Sequence, residues 1–126
     1  MNINDFMKTS DYALFIKNNP GIGKLKIRSY TASEALPIEG LNITVFGDIF
    51  GTKVIFYSGK TDASGVIPTI SLPTPSLTNN LEIPNTIQYK IDAYLGDSKS
   101  NYSVNMYDGI YVVQNINFIL GEENGN

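Results

Sequence analysis

The sequence predicts an all-β fold: a seven-stranded β-sandwich preceded by a short helix. Three observations carry that prediction. From Gly23 onward, apolar and polar residues alternate with a period of two, beginning with Leu25 and Ile27 against Lys24, Lys26 and Arg28. Clusters of Gly, Pro, Asn and Asp break the alternation at regular intervals, as the turns of a sandwich do. The 126 residues are 42% hydrophobic and include eight Tyr and six Phe, enough apolar surface for one domain with its own core.

Residues 1–21 stand apart from that pattern. Phe6, Met7, Ala13, Leu14, Phe15 and Ile16 have partial helical spacing, and Asn4 or Ser10 is placed to cap a helix start. A break is expected near Thr9-Ser10, and Asn18-Asn19-Pro20-Gly21 ends the helix. Its aromatics Phe6, Tyr12 and Phe15 have two possible uses: packing on the sandwich, which is favoured, or docking on another subunit.

The sandwich is expected over residues 22–120. After the Lys24–Arg28 strand, Ala35-Leu36-Pro37-Ile38-Glu39-Gly40 is a turn-rich link, because proline has no amide hydrogen for a ladder. Leu41, Ile43 and Val45 then alternate with Asn42, Thr44 and Phe46. Gly47-Asp48 and Gly51 mark a reversal into Lys53–Ser58. The turn Thr61-Asp62-Ala63-Ser64-Gly65 leads to a short strand around Val66–Leu72, and Pro73 and Pro75 open a long irregular loop to Pro84. Thr86–Tyr94 is a strand with Ile87, Tyr89, Ile91 and Ala93 on one face. Two more strands, Asn101–Tyr107 and Ile110–Leu120, turn at Asp108-Gly109, and residues 121–126 are a polar tail.

Composition excludes several chemistries. The chain has no Cys, so disulfides and thiolate metal sites are impossible, and no His, so Ser-His-Asp and Cys-His catalysis within it are too. A net charge of -3 with 17% charged residues gives no electrostatic reason for a nucleic-acid or membrane partner. Residues 1–8 lack the basic and apolar regions of an export signal, and no apolar run is long enough to span a bilayer. The expectation is a protein made in the cytoplasm, on which the sequons at Asn42 and Asn101 are chance matches.

Asp62 sits where its carboxylate accepts amides of its own turn, and Gly65 supplies a positive φ. Calcium bound through Asp62 and Ser64 is the alternative, but two ligands fall far short of a calcium loop. Asp48, Asp92, Asp97 and Asp108 are scattered, so a hydrolytic carboxylate pair would have to converge in space. Lys24, Lys26 and Arg28 read as a solvated face, with an acidic partner as the sharper alternative. Among the late tyrosines, Tyr94 and Tyr111 are the candidates for an outward patch that contacts protein or glycan.

Several segments together resemble one family. Gly23-Lys24-Leu25-Lys26-Ile27 leads to Tyr30-Thr31-Ala32 and then Ala35–Val45. Thr61–Gly65, Leu72-Pro73-Thr74-Pro75 and Tyr89-Lys90-Ile91-Asp92-Ala93 follow. This pattern resembles the carboxypeptidase regulatory-like domain, a seven-stranded transthyretin-like sandwich, over about residues 12–120. The Leu-Pro-x-Pro form resembles modules of spore cortex-lytic proenzymes and of phage-like proteins of Gram-positive bacteria. The family's usual Gly-Tyr after the Ile-Asp-Ala strand is replaced here by Leu95-Gly96-Asp97.

The resemblance implies a folding, spacing or adhesion role without catalysis and without cofactor or metal. Transthyretin-like enzymes that hydrolyse hydroxyisourate use histidines and a C-terminal tetrapeptide; this chain has no His, and residues 122–126 read Glu-Glu-Asn-Gly-Asn. The expected role is an interaction module, not an enzyme, assembled with other structural proteins or with itself into a phage or phage-tail-like particle. The alternative is a spore- or cell-wall-associated module that binds glycan.

Overall fold

Alternation of inward and outward residues organises the chain into two sheets. The structure is a computed structural model and describes residues 1–80, 82 and 85–120. Two short helices, α1 (Ile3–Phe6) and α2 (Ser10–Asn18), precede seven strands. These are β1 (Gly21–Thr31), β2 (Asn42–Ile49), β3 (Thr52–Lys60), β4 (Ile70–Thr74), β5 (Thr86–Leu95), β6 (Ser98–Tyr107) and β7 (Tyr111–Phe118). A three-stranded sheet in the order β4-β1-β7 faces a four-stranded sheet in the order β3-β2-β5-β6. The seven-stranded sandwich with a short helical lead-in is therefore the fold. The expected polar tail, 121–126, lies outside the described residues.

The core is the set of alternate side chains that both sheets turn inward. Leu25 and Ile27 of β1 meet Ile43 and Val45 of β2, Tyr89, Ile91 and Ala93 of β5, Val104 and Met106 of β6, and Ile116 and Phe118 of β7. Tyr89 is fully buried, and its hydroxyl donates to Pro73 O at 2.6 Å, which satisfies the one polar atom that so large a side chain brings inside. Burial disfavours the phenolate and pushes the Tyr89 pKa well above the ordinary tyrosine value.

The helical segment has a core of its own against the sandwich. Phe6 and Phe15 are each 2% exposed and pack with Ile49 and Val54. An aromatic chain joins the two cores: Tyr12 to Phe6 at 6.1 Å, Phe6 to Phe15 at 5.9 Å, Phe15 to Phe56 at 6.1 Å and Phe56 to Tyr89 at 5.1 Å. The helix breaks at Thr9, as expected. The cap of α1 is Asn2 rather than Asn4, because the Asn2 side chain accepts from Asp5 N at 2.9 Å. Asn19 closes α2 by donating to Phe15 O.

Several boundaries and connections differ from expectation. Gly47 and Asp48 lie within β2, and the reversal falls on Phe50 and Gly51, with φ of 51° and 81° between the paired residues Ile49 and Thr52. The strand after the Thr61–Gly65 turn starts later and includes Pro73; β4 is an edge strand, where a missing amide is tolerated. Asp108-Gly109 does make a bend, but it joins strands of different sheets. The Asp108 carboxylate accepts from Ile22 N at 3.0 Å, and β7 leaves to pair with β1 in parallel. Leu95-Gly96-Asp97 forms a tight reversal, with Leu95 paired to Ser98. In the loop after β4, Asn85 brackets Thr78 with two hydrogen bonds, Thr78 N to Asn85 Oδ1 and Asn85 Nδ2 to Thr78 O.

Candidate functional site

The Thr61–Gly65 turn is a backbone device. Asp62 Oδ1 accepts from Ser64 N at 2.9 Å and Val66 N at 3.2 Å, so its lone pairs serve the turn. Gly65 has φ of 78°, and its carbonyl accepts from both Ser29 N and Ser29 Oγ. Thr61, 4% exposed, donates its hydroxyl to Ile38 O and accepts from Leu41 N. Among the described residues there is no group of three or more acids able to hold a metal ion.

Of the expected interaction residues, Phe6 and Phe15 do not form a contact surface. Both are consumed by the chain's own second core, because Ile49, Val54 and Phe56 offer them an apolar seat. Tyr12 is half-buried against Phe6. Tyr94 and Tyr111 do point outward, at 41% and 52% exposure. They lie on opposite sheets, so the single patch expected of them does not exist.

The outer face of the three-stranded sheet is apolar at one end and basic along its middle. Ile22, Ile110, Tyr111 and Val113 are 56%, 47%, 52% and 42% exposed. The register places Lys24 beside Tyr111 and Lys26 beside Val113, so these residues form one surface. Ile22, Ile110 and Tyr111 ring a dimple of about 100 Å³. Lys24, Lys26 and Arg28 run down the central strand, and the residues paired with them on either side carry no carboxylate. None of the three forms an ion pair among the described residues.

The outer face of the four-stranded sheet is a polar grid. Its rows are Phe46, Lys90 and Ser103, then Thr44, Asp92 and Asn101, then Asn42, Tyr94 and Lys99. Asp92 sits at the centre, with Lys53 Nζ at 3.9 Å and Lys99 Nζ at 3.8 Å. The Lys53 ammonium also lies 4.1 Å from the centre of the Phe46 ring, which fixes that ring. A depression of about 450 Å³ opens over Lys90, Asp92, Lys99, Asn101 and Ser103. Among the described residues its one carboxylate is Asp92, with cations on two sides, so they offer no carboxylate pair there.

A larger hollow of about 620 Å³ lies between Lys17–Pro20, the loop residues Pro75, Ser76 and Thr78, and the start of β5, and among the described residues no carboxylate lines it.

Sequence reasoning gave no site role to Phe46, Lys53, Lys90, Asn101 or Ser103, and read the sequon at Asn101 as a chance match. Period two had already turned Lys90, Asp92, Asn101 and Ser103 to one side of their strands. Which strands are neighbours was the missing information.

No protein-family model and no curated protein sequence matches the chain. Among solved structures, the 5-hydroxyisourate hydrolase of Klebsiella pneumoniae is similar, with 16% identity over 74% of this chain and 86% of that one and a TM-score of 0.45. The similar structure is named as an enzyme, so the expectation that this chain is not one is withdrawn. A likeness of this size transfers no activity to this chain.

Proposed function

We propose that the chain is an interaction module of a larger particle, phage or phage-tail-like, and that it docks through the outer face of the three-stranded sheet. The observation that carries this reading is the contiguous exposed cluster of Ile22, Ile110, Tyr111 and Val113 beside a basic row. Exposed apolar residues gathered around a dimple, with cations at the rim, have the composition of a protein-binding surface. The sequence resemblance to modules of phage-like proteins supplies the context, and the partner is another structural protein or a second copy. The chain is then made in the cytoplasm and built into the particle.

The test pairs particle purification with the double variant Ile22→Asp/Val113→Asp. The wild-type chain is expected to co-sediment with particles, or to form a defined oligomer in light scattering. The variant is expected to stay folded and monomeric. A wild-type chain that is monomeric and absent from particles overturns the reading. So does a variant that assembles normally.

A second reading, a spore- or wall-associated glycan-binding module, is favoured by a different observation, the polar grid on the opposite face. Retention on purified peptidoglycan without particle association would favour it over the first.

A further inference from the structure

We propose that the grid on the four-stranded sheet is a binding site for an anionic oligosaccharide, one whose sugars carry free carboxylates. The inference takes glycan binding from the second reading above, but neither a wall nor a spore location.

The charge on this face selects an acidic ligand. Lys53, Lys90 and Lys99 share this face with Asp92 and with Asp48, which lies opposite Lys53, so three cations meet two carboxylates and the face is locally positive in a chain of net charge -3. Lys53 and Lys99 are both engaged by Asp92, whereas Lys90 has no ion pair among the described residues and borders the depression. Lys90 is therefore the cation available to a ligand carboxylate.

The neighbours of Lys90 select a sugar over a simple ion. Asp92 is an acceptor held in place by two ammonium groups, and Asn101 and Ser103 add donors and acceptors beside it. Together they match the vicinal hydroxyls of a pyranose. Phe46 walls one corner, and Tyr94, 41% exposed, stands in the middle of the opposite row, one strand across and two rows along. Alternate residues along a strand are about 6.6 Å apart and neighbouring strands about 4.8 Å. The two rings are therefore separated by roughly 14 Å, the span of two to three linked sugars. A ligand would place its carboxylate at Lys90, its hydroxyls over Asp92 and Asn101, and a further ring against Tyr94.

The test is calorimetric titration of the full chain with four probes. They are trigalacturonic acid, the same trisaccharide with its carboxylates reduced to alcohols, a peptide-free tetrasaccharide of alternating N-acetylglucosamine and N-acetylmuramic acid, and sodium sulfate. At least one acidic oligosaccharide is expected to bind, and which one does identifies whether uronic or lactyl carboxylates are read. The reduced trisaccharide and sulfate are expected to bind at least about tenfold more weakly, as befits loss of one charge-assisted contact or of the sugar. Lys90→Gln is expected to weaken the acidic ligand by a similar factor. Lys24→Gln, on the opposite face, is expected to leave it unchanged, and thermal melts verify that both variants are folded.

Equal binding of the acidic and reduced trisaccharides overturns the inference while leaving glycan binding intact. Sulfate binding as tightly as the sugars reduces the site to an ion patch and also overturns it. No binding of either acidic probe at millimolar concentration, or equal effects of the two lysine variants, does the same.

Discussion

Replacing Gly65 with alanine is the sharpest test of how the Thr61–Gly65 turn holds the sandwich together. Gly65 has φ of 78°, and a Cβ there would sit 2.6 Å from Ser29 O, 3.1 Å from Ile38 N and 3.2 Å from a Pro37 carbon. The left-handed conformation alone costs an alanine about 1 kcal/mol. The clash is with the backbone of the buried central strand, which cannot swing aside as a side-chain tip would. Relief requires the turn to move away from Ser29, stretching the bonds that Gly65 O accepts from Ser29 N at 2.8 Å and Ser29 Oγ at 2.9 Å. At about 1 kcal/mol for each weakened bond, the total reaches roughly 2–4 kcal/mol. For a chain of this size that is a fall in Tm of roughly 8–15 °C. Gly40 is the matched control, since its φ is 81° and a Cβ there would meet nothing within 4 Å. Gly40→Ala should therefore cost only the conformational part. Urea denaturation of both variants separates the two contributions, provided the m-values agree. Equal midpoints for Gly65→Ala and Gly40→Ala would refute the steric reasoning.

Two further predictions concern the aromatic chain. Phe15→Ala is expected to destabilise the whole chain by about 3–5 kcal/mol, the usual range for emptying a buried phenylalanine site; the 48% exposed neighbour Leu14, changed to Ala, should alter the urea midpoint by less than about 0.5 kcal/mol. A small effect at Phe15 would mean that the helices are not part of the folded unit. Tyr89→Phe should cost about 1 kcal/mol near pH 7 through loss of its bond to Pro73 O. Because burial raises the folded pKa of Tyr89, ionisation begins in the unfolded chain. The stabilisation is therefore whole below about pH 10 and fades as pH rises from there toward the folded value. The variant should accordingly lose stability less steeply in that alkaline range, and identical slopes would count against the assignment.

What the sequence made legible was local. Asp62 and Gly65 specify their turn within five residues, and alternation alone assigns Leu25, Ile43, Tyr89 and Ile91 to the core. Helical spacing flagged Phe6 and Phe15 as an apolar stripe, but their seat is made by Val54 and Phe56, far away in the chain. Asp108-Gly109 encodes a bend and carries no information about whether the next strand stays in the same sheet. Tyr94 and Tyr111 were correctly turned outward by period two. That they face opposite directions depends on sheet membership, which is a property of the whole topology. The polar grid was hidden for the same reason, since its rows draw on β2, β5 and β6 and exist only once those strands are neighbours.

The parallel pairing of β1 with β7 has a consequence for synthesis on the ribosome. β1 is the central strand of its sheet, yet the partner on one flank, Tyr111–Phe118, is among the last described residues to be made. Until then Leu25 and Ile27 lack the cover of Ile116 and Phe118, and one edge of a hydrophobic strand stands open. A nascent chain of this design cannot mature piecemeal from its N-terminus. It must wait, partly collapsed, for a closure between segments distant in sequence, which is the slow class of folding event. Slowed elongation or a truncating lesion before residue 111 would therefore leave a species with an unsatisfied strand, a natural client for holdase chaperones rather than a smaller working module.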